Sequence, residues 1–259
     1  YKFIVYNPKN LNFYRNDTYS QNGEDGIIEE VLKRLNIDNN LEVVEFGACD
    51  GIYLSNTFNL VKQNKVSLAI YIESDLDFFL KLEKNAKAYP CIVPLNNHIE
   101  FGSNTQNNLD TILAKTKIKK NFDILSIDID SYDLDVFLSI KNYKPKVLII
   151  EANRMPKDIF HKHNESVPGN SFSQIIYDVS QKNYIPIVFT GNIFFINSNF
   201  IKDIKIFKKF IKEPGLLYDY HDFFYKYKEM NICTKFLFAH FPINFLKFAY
   251  KIKKLFSNK

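Results

Sequence analysis

Leu41-Glu-Val-Val-Glu-Phe-Gly-Ala-Cys-Asp-Gly51 is an apolar strand that runs straight into a glycine turn. Val43, Val44 and Phe46 suit a buried parallel strand. Gly47 and Gly51 let the backbone turn sharply and approach a ligand that any Cβ would push away. A dinucleotide loop has Gly-x-Gly-x-x-Gly, with a helix N-terminus facing a pyrophosphate. This loop lacks the third glycine and sets Glu45 and Asp50 where phosphates would be repelled. Carboxylates suit a cationic or hydroxylated ligand, and S-adenosylmethionine, with its ammonium, sulfonium and ribose diol, is such a ligand.

Val66-Ser-Leu-Ala-Ile-Tyr-Ile-Glu73 reads as a second buried strand ending in an acid. Glu73 lies about twenty residues beyond the turn, where a doubly wound fold places its ribose-binding acid. Further along, the pattern predicts helix 55–64, helix 76–88, strand 90–95, helix 107–116, strand 122–129, helix 133–141 and strand 145–151. Helix 171–183 and a hairpin of 185–189 with 193–196 around Gly191-Asn192 follow. This alternation predicts an α/β fold, a doubly wound, mostly parallel seven-stranded sheet closed by an antiparallel hairpin. The expected divisions are an N-terminal extension with an entry helix (1–40), the cofactor-binding domain (41–200) and a C-terminal helical extension (201–259).

The chain has 259 residues, ample for one large domain. Phe and Tyr are abundant, Trp is absent, and the many Lys, Asn and Ile residues suggest an AT-rich bacterial genome. Cys49, Cys91 and Cys233 have no metal-site spacing, which fits a reducing cytoplasm. Cys49 is expected to serve as a small packing residue. No apolar run reaches the length of a spanning helix or a signal peptide. The chain opens at Tyr1, so it reads as a trimmed polypeptide or one module of a longer one.

The net charge of +5 is uneven: residues 201–259 hold 13 Lys against 5 acids. The preceding domain is therefore not basic, and no nucleic-acid partner is expected for it. Phe245, Phe248, Ala249, Ile252, Leu255 and Phe256 recur at helical spacing, with Lys247, Lys251, Lys253 and Lys254 elsewhere on the wheel. Such a helix would dock on the domain or a partner, a second copy included, or lie peripherally on the inner face of an anionic membrane.

Tyr19-Ser-Gln-Asn-Gly-Glu-Asp-Gly-Ile27, Glu45-Phe-Gly-Ala-Cys-Asp-Gly51, Ser55-Asn-Thr57, Asp123-Ile-Leu-Ser-Ile-Asp-Ile-Asp-Ser-Tyr-Asp133, Ile149-Ile-Glu-Ala-Asn153 and Gly169-Asn-Ser171 form a set of motifs. Together they resemble the FkbM-type branch of S-adenosylmethionine-dependent methyltransferases, particularly members attached to bacterial polysaccharide clusters. The resemblance spans roughly residues 18–200 and implies a Rossmann-like class I methyltransferase. Ser20, Gln21 and Asn22 would meet the methionine end of the cofactor, or else cap the helix that follows, with Glu24 and Asp25 placed for its dipole. Glu45, Asp50 and the Gly47 backbone would take the methionine ammonium and nearby groups, with Gly51 and Asn56 in the same loop system. Glu73 would accept the ribose hydroxyls, and Asn96 and Asn97 fall where this fold contacts adenine.

Asp128 and Asp130 end the fourth strand, and Glu151 and Asn153 end the fifth, so all four should gather at the carboxyl edge of the sheet. Strand alternation would point Asp128 and Asp130 the same way. Converging carboxylates call for a raised pKa or a hard cation, Mg2+ or Mn2+. The other reading has Asp130 and Asp133 capping the next helix and Glu151 pairing with Arg154. Asp128, His161 and His163 are the candidate bases. Arg154, Lys157 and Asn192 are candidates for binding the acceptor.

The implied reaction is O-methylation of a sugar hydroxyl, on a sugar nucleotide or glycan precursor of capsule or another surface polysaccharide. Two rivals stay open: a nicotinamide-dependent sugar-nucleotide oxidoreductase, and a non-catalytic, membrane-recruited module of a larger glycosyltransferase.

Overall fold

The computed structural model describes residues 9–100, 107–153, 155–206 and 208–218. In chain order the elements are α1 (Glu24–Arg34), β1 (Leu41–Phe46), α2 (Phe58–Lys62), β2 (Val66–Glu73), α3 (Leu76–Ala86), β3 (Ile92–Asn96), α4 (Leu109–Ala114) and β4 (Ile124–Ile127). After these come α5 (Asp133–Ser139), β5 (Val147–Glu151), α6 (Phe172–Ser180), β6 (Tyr184–Phe189), β7 (Asn192–Asn197), α7 (Ile201–Ile204) and α8 (Lys208–Lys212). The strands form one seven-stranded sheet in the order β3-β2-β1-β4-β5-β7-β6. Only β7 runs antiparallel, against both β5 and β6. This is the expected doubly wound fold, and the order reverses between β1 and β4, the switch point where ligands of open α/β sheets bind.

Both faces of the sheet are covered, which is why the strands read as continuous apolar runs rather than alternating ones. Every residue of β1 is buried. Val44, Ile70, Leu125, Leu148 and Phe195 face α4, α5 and α6 in one core. Val43, Ala69, Ile124, Ile149 and Phe194 face α1, α2 and α3 in the other. Pro94 and Pro186 lie on β3 and β6, the two edge strands, where a missing N–H leaves the central ladder intact.

Three differences from the sequence reading have local causes. Helix α2 begins at Phe58 rather than 55 because residues 55–57 are held by the Glu45 carboxylate. Strand β4 stops at Ile127, not 129: Asp133 accepts hydrogen bonds from the amides of Ile129 (2.8 Å) and Ser131 (3.0 Å), which folds the chain into a turn. Asp128 and Asp130 thus stand in a loop beyond the strand, so strand alternation does not orient them, and Asp130 sits at φ 60°. The core also continues past residue 200. Ile204 and Ile206 are buried in one core and Leu217 and Tyr218 in the other, with Tyr218 stacked on Phe189 at 5.3 Å. The basic amphipathic stretch 245–256 and Cys233 lie outside the described residues.

Gly47 shows how tightly the switch point is closed. It sits at φ 82°, and a Cβ there would lie 1.8 Å from the Asp128 carbonyl oxygen. The glycine is thus required by the neighbouring strand end, before any ligand arrives. Gly47→Ala is expected to destabilise the fold by roughly 3 kcal/mol or more, as backbone strain adds to the clash. An unchanged urea midpoint would show that β4 can move aside.

Candidate functional site

Three loops meet at the carboxyl edge. After β1, the amides of Gly47 and Ala48 both donate to the Ile72 carbonyl at 3.1 Å, tying the glycine turn to the end of β2. Glu73, at that end, accepts the Cys49 amide on one carboxylate oxygen and the Asp75 amide on the other, each at 2.8 Å. A carboxylate offers about four lone-pair directions, so Glu73 keeps capacity for two further donors, such as a ribose diol. Asn96 donates to the Glu73 carbonyl (2.9 Å), and the Asn97 amide reaches the same oxygen (3.2 Å), so both brace the β2 exit.

Two acids expected on the ligand serve their own loops instead. Glu45 is buried, and its carboxylate receives Ser55 Oγ (2.9 Å), the Asn56 amide (3.1 Å), and both the amide and hydroxyl of Thr57. Burial outweighs these bonds and raises its pKa to about 7. Asp50 accepts the amides of Ile52 (2.9 Å) and Tyr53 (2.8 Å), closing a tight turn. Asn56 donates its side-chain amide to Ser126 Oγ at 3.0 Å and so ties the loop to β4. A Cβ on Gly51 would meet Leu82 at 2.5 Å, so this glycine too is held by packing. Glu45 is thus committed to the Ser55–Thr57 segment, whereas Asp50 takes both amides on one oxygen and keeps the other.

The entry segment divides in the same way. Asp25 gathers the amides of Thr18, Tyr19 and Ser20 at 2.7–3.0 Å, and Ser20 Oγ accepts the Asp25 amide at 3.1 Å. Ser20 is thus a buried structural hydroxyl, whereas Gln21 is exposed and Asn22 half-buried. Glu24 was not among the expected site residues. It is fully buried and takes the Asn22 amide (2.7 Å), Thr190 Oγ (2.8 Å) and the Asn192 side-chain amide (3.4 Å). Asn192, expected on the acceptor, instead supports Glu24. The signal was Glu24's place in the Ser20–Asp25 motif, but its partners lie in the β6–β7 hairpin, far along the chain.

Asp128, Asp130 and Glu151 do come together: each offers an oxygen within 4.8 Å of the others'. Burial first, then the charges of Asp130 and Glu24, raise the Asp128 pKa to about 6, and a hydrogen bond with Glu151 opposes the shift. Asp133 is also raised, to about 7, mainly by burial, but its carboxylate closes the β4–α5 turn. The Asn153 side-chain amide donates to the Pro168 carbonyl and its backbone amide to the Asn170 carbonyl.

Residues 155–171 form the loop that flanks these acids. Buried Asn170 accepts the His163 amide (3.0 Å) and reaches the Ser131 carbonyl (3.4 Å), joining this loop to the β4–α5 turn. The His163 ring packs on Tyr132 at 3.9 Å, and its Nδ1 accepts the Gly169 amide at 2.9 Å. The Nδ1 lone pair is thus engaged within the loop. His161 directs Nε2 to the Val167 carbonyl at 3.1 Å, which fixes that nitrogen as a donor. Both histidines thus order the loop. Lys157 packs near Gly215 and Ser173, and Arg154 lies outside the described residues.

Residues 103–185 match the family model of the methyltransferase FkbM domain. Solved structures of similar shape include a SAM-dependent methyltransferase from Aquifex aeolicus, 12% identical with a TM-score of 0.43, covering 74% of this chain and 99% of that one. Another is TrmK from M. capricolum with S-adenosyl-homocysteine, 16% identical with a TM-score of 0.42, covering 88% and 95%. No curated protein sequence matches significantly. Among the described residues, no helix is long and apolar enough to cross a membrane.

Glu45→Ala leaves several buried donors without an acceptor. It is expected to lower stability by about 2–4 kcal/mol in urea denaturation, and a loss confined to ligand affinity, with stability unchanged, would return Glu45 to the binding surface.

Proposed function

Because the chain carries a methyltransferase FkbM domain at residues 103–185, we propose that it transfers the methyl group of S-adenosylmethionine to a hydroxyl of a sugar, as part of a nucleotide-linked sugar or glycan precursor for a surface polysaccharide. The observation that carries the reading is the placement of Glu73 and the Asp128–Asp130–Glu151 group on one sheet edge, across the β1–β4 switch point. The ribose fits Glu73, which retains acceptor capacity beside a glycine turn. The cofactor would supply an electrophilic methyl when bound. What remains for the chain is to hold the acceptor in line and remove a poorly acidic proton.

Asp128 is the residue for that proton. It is half-buried, and desolvation with the neighbouring charges raises its pKa to about 6, which makes it a stronger base than an ordinary carboxylate while leaving it ionised at neutral pH. Exposed Asp130 offers a second acceptor for a neighbouring hydroxyl, as polyols require. A second reading keeps these residues and adds Mg2+ or Mn2+. Three carboxylate oxygens so close together are the donor type hard cations take, and such an ion would polarise the acceptor hydroxyl.

Three outcomes are expected. Glu73→Ala should weaken cofactor binding by about 1–3 kcal/mol in calorimetry while the protein still folds; an unchanged affinity removes Glu73 from the site. With Asp128 as base, turnover of labelled cofactor with nucleotide-sugar acceptors should rise with pH through about 6 and then level. Asp128→Asn should remove that limb and most of the rate, and a variant that keeps both is incompatible with the assignment. Exhaustive EDTA treatment separates the two readings: full turnover afterwards excludes the cation, and loss restored by magnesium or manganese establishes it.

A further inference from the structure

The opposite edge of the sheet has the opposite charge. The segments that enter the strands there carry Lys115, Lys117, Lys119 and Lys120 before β4, Lys141, Lys144 and Lys146 before β5, and Lys182 before β6. Of these, Lys119 pairs with Glu42 (2.5 Å) and Lys146 with Asp123 (2.7 Å). The near-neutral net charge of the domain thus hides two poles, acids where the parallel strands end and lysines where they begin.

A cleft of about 650 Å³ opens at the basic pole, between the segment entering β5 and the base of the β6–β7 hairpin. Its polar lining includes Lys141, Lys144, Lys182, Ser198 and the amides of Asn183, Asn197 and Asn199, and among the described residues no carboxylate lines it. Lys182 is half-buried and donates to the carbonyls of Ile140 (2.6 Å) and Phe137 (3.4 Å). It therefore cancels the negative end of α5, which would otherwise repel an anion, and an ammonium has a third proton to offer. Burial lowers its pKa, the cost of keeping a cation on the cleft floor. The acid beside this region, Asp110, turns its carboxylate to the amides of Lys141 and Asn142. Tyr143 and Tyr184 supply the aromatic wall.

We propose that this cleft is a second ligand site, distinct from the methyl-transfer edge, that takes a small phosphorylated molecule, its phosphate or diphosphate held by Lys141, Lys144 and Lys182 and by the asparagine amides. The volume lies within the range of small-molecule sites. Charge of one sign, amide donors and a concave shape select a compact anion rather than a flat polymer surface.

Inorganic pyrophosphate is the first probe, titrated calorimetrically into the whole protein with sodium sulfate at matched ionic strength as control. Saturable binding is expected, and Lys141→Glu/Lys144→Glu should weaken it by roughly tenfold or more, since reversing two charges turns attraction into repulsion. These lysines are exposed, so the variant should fold and bind S-adenosylmethionine as before, and that readout keeps this test separate from the methyltransferase reading. Lys182→Met is the weaker probe because Lys182 also closes α5. A second arm uses phosphatidylglycerol vesicles against phosphatidylcholine vesicles. No saturable pyrophosphate binding, equal binding of sulfate, or binding unchanged in the double variant would overturn the proposal. So would vesicle binding that depends on the two lysines and that pyrophosphate does not displace, which would make the pole a surface for lipid headgroups.

Discussion

The contact between the ends of β1 and β4 governs the rest of the molecule. The Asp128 amide donates to the Phe46 carbonyl at 3.0 Å, and Gly47 lies so close to the Asp128 carbonyl that no side chain fits between them. With the two strand ends locked, the chain after β1 must turn toward β2, and the chain after β4 must turn toward β5. The first turn delivers the Cys49 amide to Glu73, and the second delivers the Asp128 carboxyl to Glu151. One backbone approach thus places both Glu73 and Asp128 on the same edge.

Around that contact, most polar residues hold loops rather than ligands. Glu45, Asp50, Asp25 and Asp133 each gather two or more backbone amides. Connections at a sheet edge carry many unpaired N–H groups, and a carboxylate is the most efficient acceptor for several of them. The price is desolvation, visible in the raised pKa values of Glu45 and Asp133. Loops so fixed keep the few remaining acceptors, Glu73 and Asp128 among them, in place before a ligand binds.

This division of labour explains what could be read from the chain and what could not. The sheet was legible because both faces are buried: continuous apolar runs such as Leu41–Phe46 and Val66–Glu73 mark central strands, and the observed bounds agree with them. The gathering of Asp128, Asp130 and Glu151 was legible from their positions at strand ends, although strand alternation was the wrong reason for it. The roles of Glu45, Asp50 and Asn96 were not legible, because ligand binding and loop bracing use the same side chains. Only the positions of the neighbouring amides decide between them. Glu24 was missed for another reason: Thr190 and Asn192, which hold it, are distant in sequence. For the candidate histidines, the contacts of one ring nitrogen each, with the Val167 carbonyl and the Gly169 amide, were not legible because they depend on how the 155–171 loop folds on itself.

The electrostatics of the acidic pole follow from which carboxylates have donors. Glu24 accepts hydrogen bonds from an amide, a hydroxyl and a side-chain amide. Asp130 is exposed and screened by water. Asp128 is half-buried, and desolvation together with both charges raises its pKa to about 6. Glu24 therefore tunes the candidate base without needing to touch the acceptor. The β6–β7 hairpin, which supplies Thr190 and Asn192, is thereby joined to the acidic edge. An antiparallel closing hairpin thus does more than finish the sheet: its turn holds Glu24 in the neighbourhood of the Asp128 carboxyl group.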